Sequence, residues 1–354
     1  MFYVNTTIQK RSLGILCPVQ GIITVRQGGR LGNCIWEYAS TVAIGHVLNL
    51  SPYMPRANLK CLEGVFKNLS IPAYEDTILS DHCRLLHGGI LSHCKTPRVE
   101  LNAQYVSPWD YLCNTLKKGK ALNVKTSRYP TSLLKKMYDD GQLSDVLILP
   151  KWIAHTEGIV KVGVEKFRQL FHFHSDVLDL VKETITGVLK AIEVKGEVSL
   201  VGVHVRQTDY KAYLVNQFGK SIVGANPDYY KRAMEKMRAL RSGTTVVFLI
   251  VSDDRQWCLR KLVNETNGVF WGGMEGSPYH SGKKKLNSIS GRSHDLALLA
   301  SLNDSIISYG TYGVTGALLA GGHTIAFNLQ TSVSDVVPTS VSLANFLVNW
   351  ELMT

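Results

Sequence analysis

Apolar residues fall into short unbroken runs that alternate with stretches of helical period. Residues 20–26 (Gln-Gly-Ile-Ile-Thr-Val-Arg) read as a short buried strand. Gly28, Gly29 and Gly32 then break the run. A helix is predicted from about Cys34 to Leu48, with Ile35, Ala39, Val42, Ala43 and Val47 on one face. Residues 158–193 carry two further helical stretches, parted by His172–Ser175. Beyond them, Val198–Val205 and Thr244–Ser252 read as buried strands, with a helix over Tyr229–Leu240 between them. Asp295–Leu302 reads as helix, Ser305–Ser308 as strand, Gly313–Leu319 as helix and Thr324–Asn328 as a last strand. Residues 80–150 mix short apolar runs with Pro, Gly and basic residues and give no assignment.

Strand, glycine loop and helix form the repeating unit of open α/β sheets. The expected class is therefore α/β with mainly parallel sheets. Two halves meet near Glu193–Gly196. Four segments follow: 1–20 as an N-terminal extension, 21–195 as one lobe, 196–330 as a second, and 331–354 as a terminal segment.

The chain has 354 residues, 45% of them hydrophobic and 19% charged, enough to bury a sizeable core. A net charge of +11 favours an anionic partner. Lys283–Lys285 is the one compact basic tract and reads as a solvated loop, so a phosphorylated small molecule fits no worse than nucleic acid. Five Asn-x-Ser/Thr sequons, at Asn5, Asn49, Asn68, Asn264 and Asn303, favour the secretory pathway, with Asn303 read as buried. Leu13–Val25 is too short and interrupted to span a membrane, so the expectation is a chain without its anchor or targeted by another route. The cluster of Asp81, His82, Cys83, His87, His93 and Cys94 matches no standard zinc spacing; a Cys83–Cys94 disulfide or a plain loop explains it as well.

The strongest chemical signal is Val203-His204-Val205-Arg206-Gln207-Thr208-Asp209-Tyr210. A buried strand delivers His, Arg and Asp at its carboxyl end, where open α/β sheets bind ligands. An arginine there suits a diphosphate, because its planar fork gives two charge-assisted hydrogen bonds. A strand-end Arg–Asp pair with no ligand would look the same in sequence.

These residues resemble the His-x-Arg-Arg-x-Asp-Tyr signature of the α-1,2-fucosyltransferases, glycosyltransferase family 11. Arg30-Leu31-Gly32-Asn33 with Glu37-Tyr38-Ala39 is similar to the glycine loop that opens their catalytic domain. Phe248–Asp254 with Trp257-Cys258, and Gly276-Ser277-Pro278 with Asp295–Leu299 and Gly310–Gly313, resemble two further motifs in order. The resemblance implies two Rossmann-like lobes of the GT-B type. It also implies GDP-fucose as donor, a galactose-terminated glycan as acceptor, inversion at the anomeric carbon and no metal or other cofactor. It implies residence in the Golgi behind a membrane anchor, and no nucleic-acid partner.

By the same resemblance, Arg206 would hold the β-phosphate, and Thr311, Tyr312 and Gly313 would face the phosphates from a helix N-terminus. Asp295 would bind guanine, supported by His204. Asp254 and Asn33 would contact the donor, Asn33 from the other lobe. Asp209 is the first candidate for general base and Glu37 the second. Acceptor contacts are expected from residues 50–150, with Pro52–Pro55 and Trp109–Tyr111 as candidates. One departure stands out: Gln207 and Thr208 occupy places where the family carries a second arginine and a glycine. Two other readings stay open, a fucosyltransferase of another linkage and a GDP-fucose- or glycan-binding relative without turnover.

Overall fold

The first apolar run becomes β1 (Ile22–Val25), every residue of which is buried. The computed structural model describes residues 21–77, 129–143, 146–192, 196–219, 222–280, 290–329 and 337–354. Lys283–Lys285, the cluster at 81–94, Trp109–Tyr111 and the extension 1–20 lie outside the described residues.

The described chain divides into two units, the first made of residues up to Glu63 and Leu69–Gly163. Its main elements are β1, α1 (Leu31–Leu48), β2 (Ser51–Pro52), α2 (Arg56–Glu63), α3 (Thr131–Asp139), β3 (Val146–Leu149) and α4 (Thr156–Val162). The strands form a parallel sheet in the order β2-β1-β3. Helix α1 is buried on almost every side, including Trp36, Glu37, Tyr38, Ser40 and Thr41, because α2, α3 and α4 all pack against it. The single apolar face read from sequence is thus too narrow; a helix this enclosed carries buried polar residues only where they are bonded. Ser40 Oγ accepts from the His155 amide at 3.0 Å, and Thr41 Oγ1 donates to the Glu37 carbonyl at 2.7 Å.

The second unit comprises Gly64–Asn68 and Val164–Thr354. Its elements are α5 (Val164–Gln169), α6 (Ser175–Ala191), β4 (Val198–Val205), α7 (Tyr210–Phe218), α8 (Pro227–Leu240), β5 (Thr245–Ser252), α9 (Arg255–Lys261) and β6 (Val269–Trp271). They continue with α10 (Gly291–Ala300), β7 (Asp304–Ile307), α11 (Thr311–Ala320), β8 (Thr324–Phe327), α12 (Thr339–Ala344) and β9 (Trp350–Met353). Phe66–Lys67 pairs separately with His172–Phe173 in antiparallel register, and the six strands of the unit's main sheet are all parallel, in the order β9-β8-β7-β4-β5-β6. Counted from β4, this is the doubly wound order 3-2-1-4-5-6, whose direction reverses between β4 and β7. Both faces of β4 and β5 are covered, which is why their sequences are nearly continuous Val, Ile, Leu and Phe. Helix starts are set by side chains: Asn226 accepts from the Tyr229 amide at 2.9 Å with Pro227 behind it, and Ser290 accepts from the Ser293 amide at 3.2 Å.

The expected α/β class with two parallel-sheet lobes is what the chain adopts. The lobe boundary differs. It falls at Gly163–Val164 rather than near 195, because α6 docks on α10 through a 3.0 Å contact between Thr184 Oγ1 and His294 Nε2. The terminal segment is likewise part of the second unit, since β9 pairs with β8 along its whole length. Asn303 is exposed rather than buried, although its Oδ1 accepts from the Leu200 amide at 2.9 Å.

Candidate active site

The reversal point of the six-stranded sheet lies between the carboxyl ends of β4 and β7, and the strongest sequence motif falls on it. The Arg206 amide donates to Ser308 Oγ at 3.3 Å, tying the two strand ends together. After β7 the chain turns through Gly310, whose φ of 89° few side-chain-bearing residues tolerate, and enters α11. The N-cap there is Gly310, so no side chain caps the first turn. The amide end of α11 therefore adds partial positive charge beside Arg206's strand.

Two carboxylates hold Arg206. Asp209 Oδ1 lies 2.6 Å from Nη2 and Asp253 Oδ2 lies 3.0 Å from Nη1. Asp253 follows the last residue of β5 and also accepts from the Gln207 amide at 2.8 Å, the Thr208 amide at 3.2 Å and the Thr208 hydroxyl. Burial alone would raise the Asp253 carboxyl; the hydrogen bonds from Thr208 and Gln207 and the Arg206 charge outweigh it and hold the group below its ordinary value. Asp209 differs in exposure: its side chain is 51% open, against 18% for Asp253.

His204 lies under the start of α11. A Cβ on Gly313 would sit 2.3 Å from His204 Nδ1, so only glycine lets the helix approach this closely. The Tyr312 ring is 5.6 Å from the imidazole, and its hydroxyl donates to the Arg292 carbonyl at 2.6 Å. Burial, with Arg206 nearby, pushes the His204 imidazole down to about 4 against a smaller opposing pull from Asp253, so it is neutral at physiological pH. Its Nδ1 is buried without a hydrogen-bond partner among the described residues, as is Gln207 Nε2. Asp295, in α10, accepts from the Met274 amide at 2.8 Å and lies 2.9 Å from His294 Nδ1.

In the first unit the same kind of edge exists where β1 and β3 end. Glu37, with no exposed surface, reaches it from α1. Its Oε1 accepts from the Trp152 amide at 2.7 Å; its Oε2 accepts from Asn58 Nδ2 at 2.9 Å and the Gly28 amide at 3.3 Å. Burial pushes this carboxyl up to about 7, partly offset by those three hydrogen bonds. Asn33, in the first turn of α1, places its amide against Gly29, where a Cβ would come within 2.0 Å of Nδ2.

Glycosyl transferase family 11 matches residues 130–354, a span that contains the whole second unit except Gly64–Asn68. The chain belongs to glycosyl transferase family 11. The galactoside 2-alpha-L-fucosyltransferase Sec1 of Mus musculus is 26% identical over 313 residues, 87% of this chain and 67% of that protein. The galactoside alpha-(1,2)-fucosyltransferase 2 of Mus musculus is 27% identical over 338 residues, 94% of this chain and 78% of that one. Among solved structures, the fucosyltransferase NodZ from Bradyrhizobium superposes with a TM-score of 0.49 at 12% identity, over 89% of this chain and 97% of that chain.

This family 11 chain gathers Arg206, His204, Asp209, Thr311, Tyr312 and Gly313 at one reversal point, as expected of the motifs. Three of the expected residues have defined partners or neighbours. Asp254 Oδ1 caps α9 by accepting from the Trp257 amide at 2.9 Å. The carboxylate that serves the loop is its neighbour Asp253, which the sequence reading passed over. The signal was the parity of β5, since only one of two adjacent acids at a strand end turns toward the loop of the next strand. Glu37, the second candidate for general base, has no exposed surface here and holds the Trp152 and Gly28 amides. His204 makes no hydrogen bond to Asp295 among the described residues; its ring neighbours Tyr312 instead.

Proposed function

We propose that this family 11 protein transfers L-fucose from GDP-fucose to a hydroxyl of a terminal galactose, forming an α-1,2 linkage with inversion. One observation carries the reading: Arg206 and the uncapped start of α11 flank the reversal point of a doubly wound sheet. That is where a diphosphate finds a guanidinium fork and helix amides together. As the sugar–phosphate bond breaks, charge grows on the β-phosphate, and Arg206 with the amides of Thr311, Tyr312 and Gly313 stabilises it. This supplies the positive charge for departure, so no metal or other cofactor is needed in the proposal.

Before the donor binds, Asp209 and Asp253 occupy the guanidinium. In the proposed step the phosphate takes Nη2 from the exposed Asp209, while the more buried Asp253 keeps its grip. Asp209 is then released as the general base that accepts the proton of the acceptor hydroxyl. Asp295 is proposed as a further donor contact, toward guanine. Gln207 carries no charge, so the phosphate relies on Arg206 where a second arginine would share the load. The proposed compartment is the lumen of the Golgi; no described helix is long and apolar enough to cross a membrane.

Calorimetric titration with GDP in the presence of chelator tests the donor site. Binding that survives chelator and weakens roughly tenfold or more in Arg206→Ala is the expected result. Wild-type binding that needs a divalent ion contradicts the metal-free phosphate site.

A further inference from the structure

Trp152 follows β3 at the carboxyl edge of the first unit's parallel sheet, where open α/β sheets present their ligand contacts. Three observations set it apart from an incidental surface aromatic. It is 56% exposed, while Trp36 in the same unit is fully buried. Its φ is 63°, a left-handed conformation that a bulky side chain adopts only under constraint. Its amide is held at 2.7 Å by Glu37, the buried carboxylate that also receives the Gly28 amide of the glycine loop. A Cβ on Gly28 would come within 2.8 Å of the indole Nε1, so the glycine loop leaves room for the ring. The Lys151 ammonium sits 4.1 Å from the ring centroid on one face.

We infer that Trp152 is the platform on which the acceptor's sugar ring stacks, with Lys151 beside it as a donor to a sugar hydroxyl. Pyranose rings carry one face of C–H groups with slight positive polarity, and an indole face is the matching negative surface. A strained, open tryptophan anchored from beneath by a buried carboxylate is a fixed surface of this kind. The role rests on the acceptor reading given under the proposed function. Glu37 thereby becomes a positioning residue: it touches no substrate and sets the ring through the backbone.

The test uses the full chain, lactose as acceptor probe and GDP-fucose as donor, with Trp152→Ala and Trp152→Phe. The inference predicts that Trp152→Ala raises KM for lactose roughly tenfold and leaves KM for GDP-fucose near the wild-type value. Trp152→Phe should retain most of the acceptor affinity while abolishing any quenching of tryptophan fluorescence by lactose. An unchanged lactose KM in Trp152→Ala, or a rise in the GDP-fucose KM instead, overturns the inference and leaves the transferase reading standing. Should the wild type transfer nothing, quenching by lactose that disappears in Trp152→Phe keeps the platform and removes the transferase reading. Absence of both transfer and quenching overturns both. Trp152→Gly supplies a folding control: glycine relaxes the backbone, so this variant should melt above Trp152→Ala yet show the same loss of acceptor affinity.

Discussion

At the scale of single residues, Arg206 is held by one exposed and one half-buried carboxylate, and the two should behave differently on mutation. Arg206→Ala removes the fork proposed to meet the leaving phosphate and should lower kcat about 10²–10³-fold, measured with labelled donor. Asp253→Asn keeps an acceptor but loses the charge that gathers Arg206, Gln207 and Thr208; kcat should fall roughly 10–100-fold, and the melting temperature should fall with it. Asp254→Ala is the contrast: it removes the α9 cap, costs about 1 kcal/mol of stability and leaves kcat alone. Arg206 and Asp209 were legible in sequence because a buried strand ends on them. The choice between Asp253 and Asp254 was not, since adjacent acids look alike until the exact end of β5 fixes which one turns toward the neighbouring strand.

At the scale of elements, the close approach of α11 to β4 depends on one glycine. Gly313→Ala would drive a methyl into the His204 ring, which is buried and has nowhere to go. Calorimetric melting should show a loss of about 1–3 kcal/mol, with weaker GDP binding because the amide end of the helix is displaced. Sequence alone assigned Gly313 to phosphate binding; its contact with His204 is a packing fact visible only once the two elements are superposed on the sheet. The same holds for α1, whose buried polar residues are explained by the three helices around it rather than by its own periodicity. Glu37 gives α1 a pH signature. Its folded carboxyl keeps a proton up to about pH 7, whereas an unperturbed one releases it near 4.5. Proton uptake thus favours the folded state at low pH, and this contribution, of order 3 kcal/mol, fades as pH rises from 4.5 through 7. Glu37→Gln should lack that slope when urea denaturation is compared at pH 5 and pH 8.

At the scale of the whole chain, most of the order of strands and helices beyond residue 196 was readable because β-branched runs and glycine breaks mark the turns of the α/β repeat. The lobe boundary was not. Helices α5 and α6 precede the sheet of the unit they join, and their allegiance is decided by tertiary contacts such as Thr184 with His294 and Arg168 Nε with the Leu318 carbonyl at 2.8 Å. Strands β6 and β9 escaped notice for a simpler reason: β6 has only three residues, and β9 carries Glu351 and is only partly buried, so its apolar run is broken. The dispersed charge of +11 found no long basic tract to concentrate it, and its sharpest expression is a single arginine at a sheet reversal. The central claim is that this reversal point holds GDP-fucose for transfer to galactose. The most direct measurement incubates the protein with labelled GDP-fucose and a galactose-terminated disaccharide and determines the product linkage by NMR, with Arg206→Ala alongside. The account predicts an α-1,2-fucosylated product that is absent or nearly so in the variant; a product of different linkage, or transfer undiminished without Arg206, would contradict it.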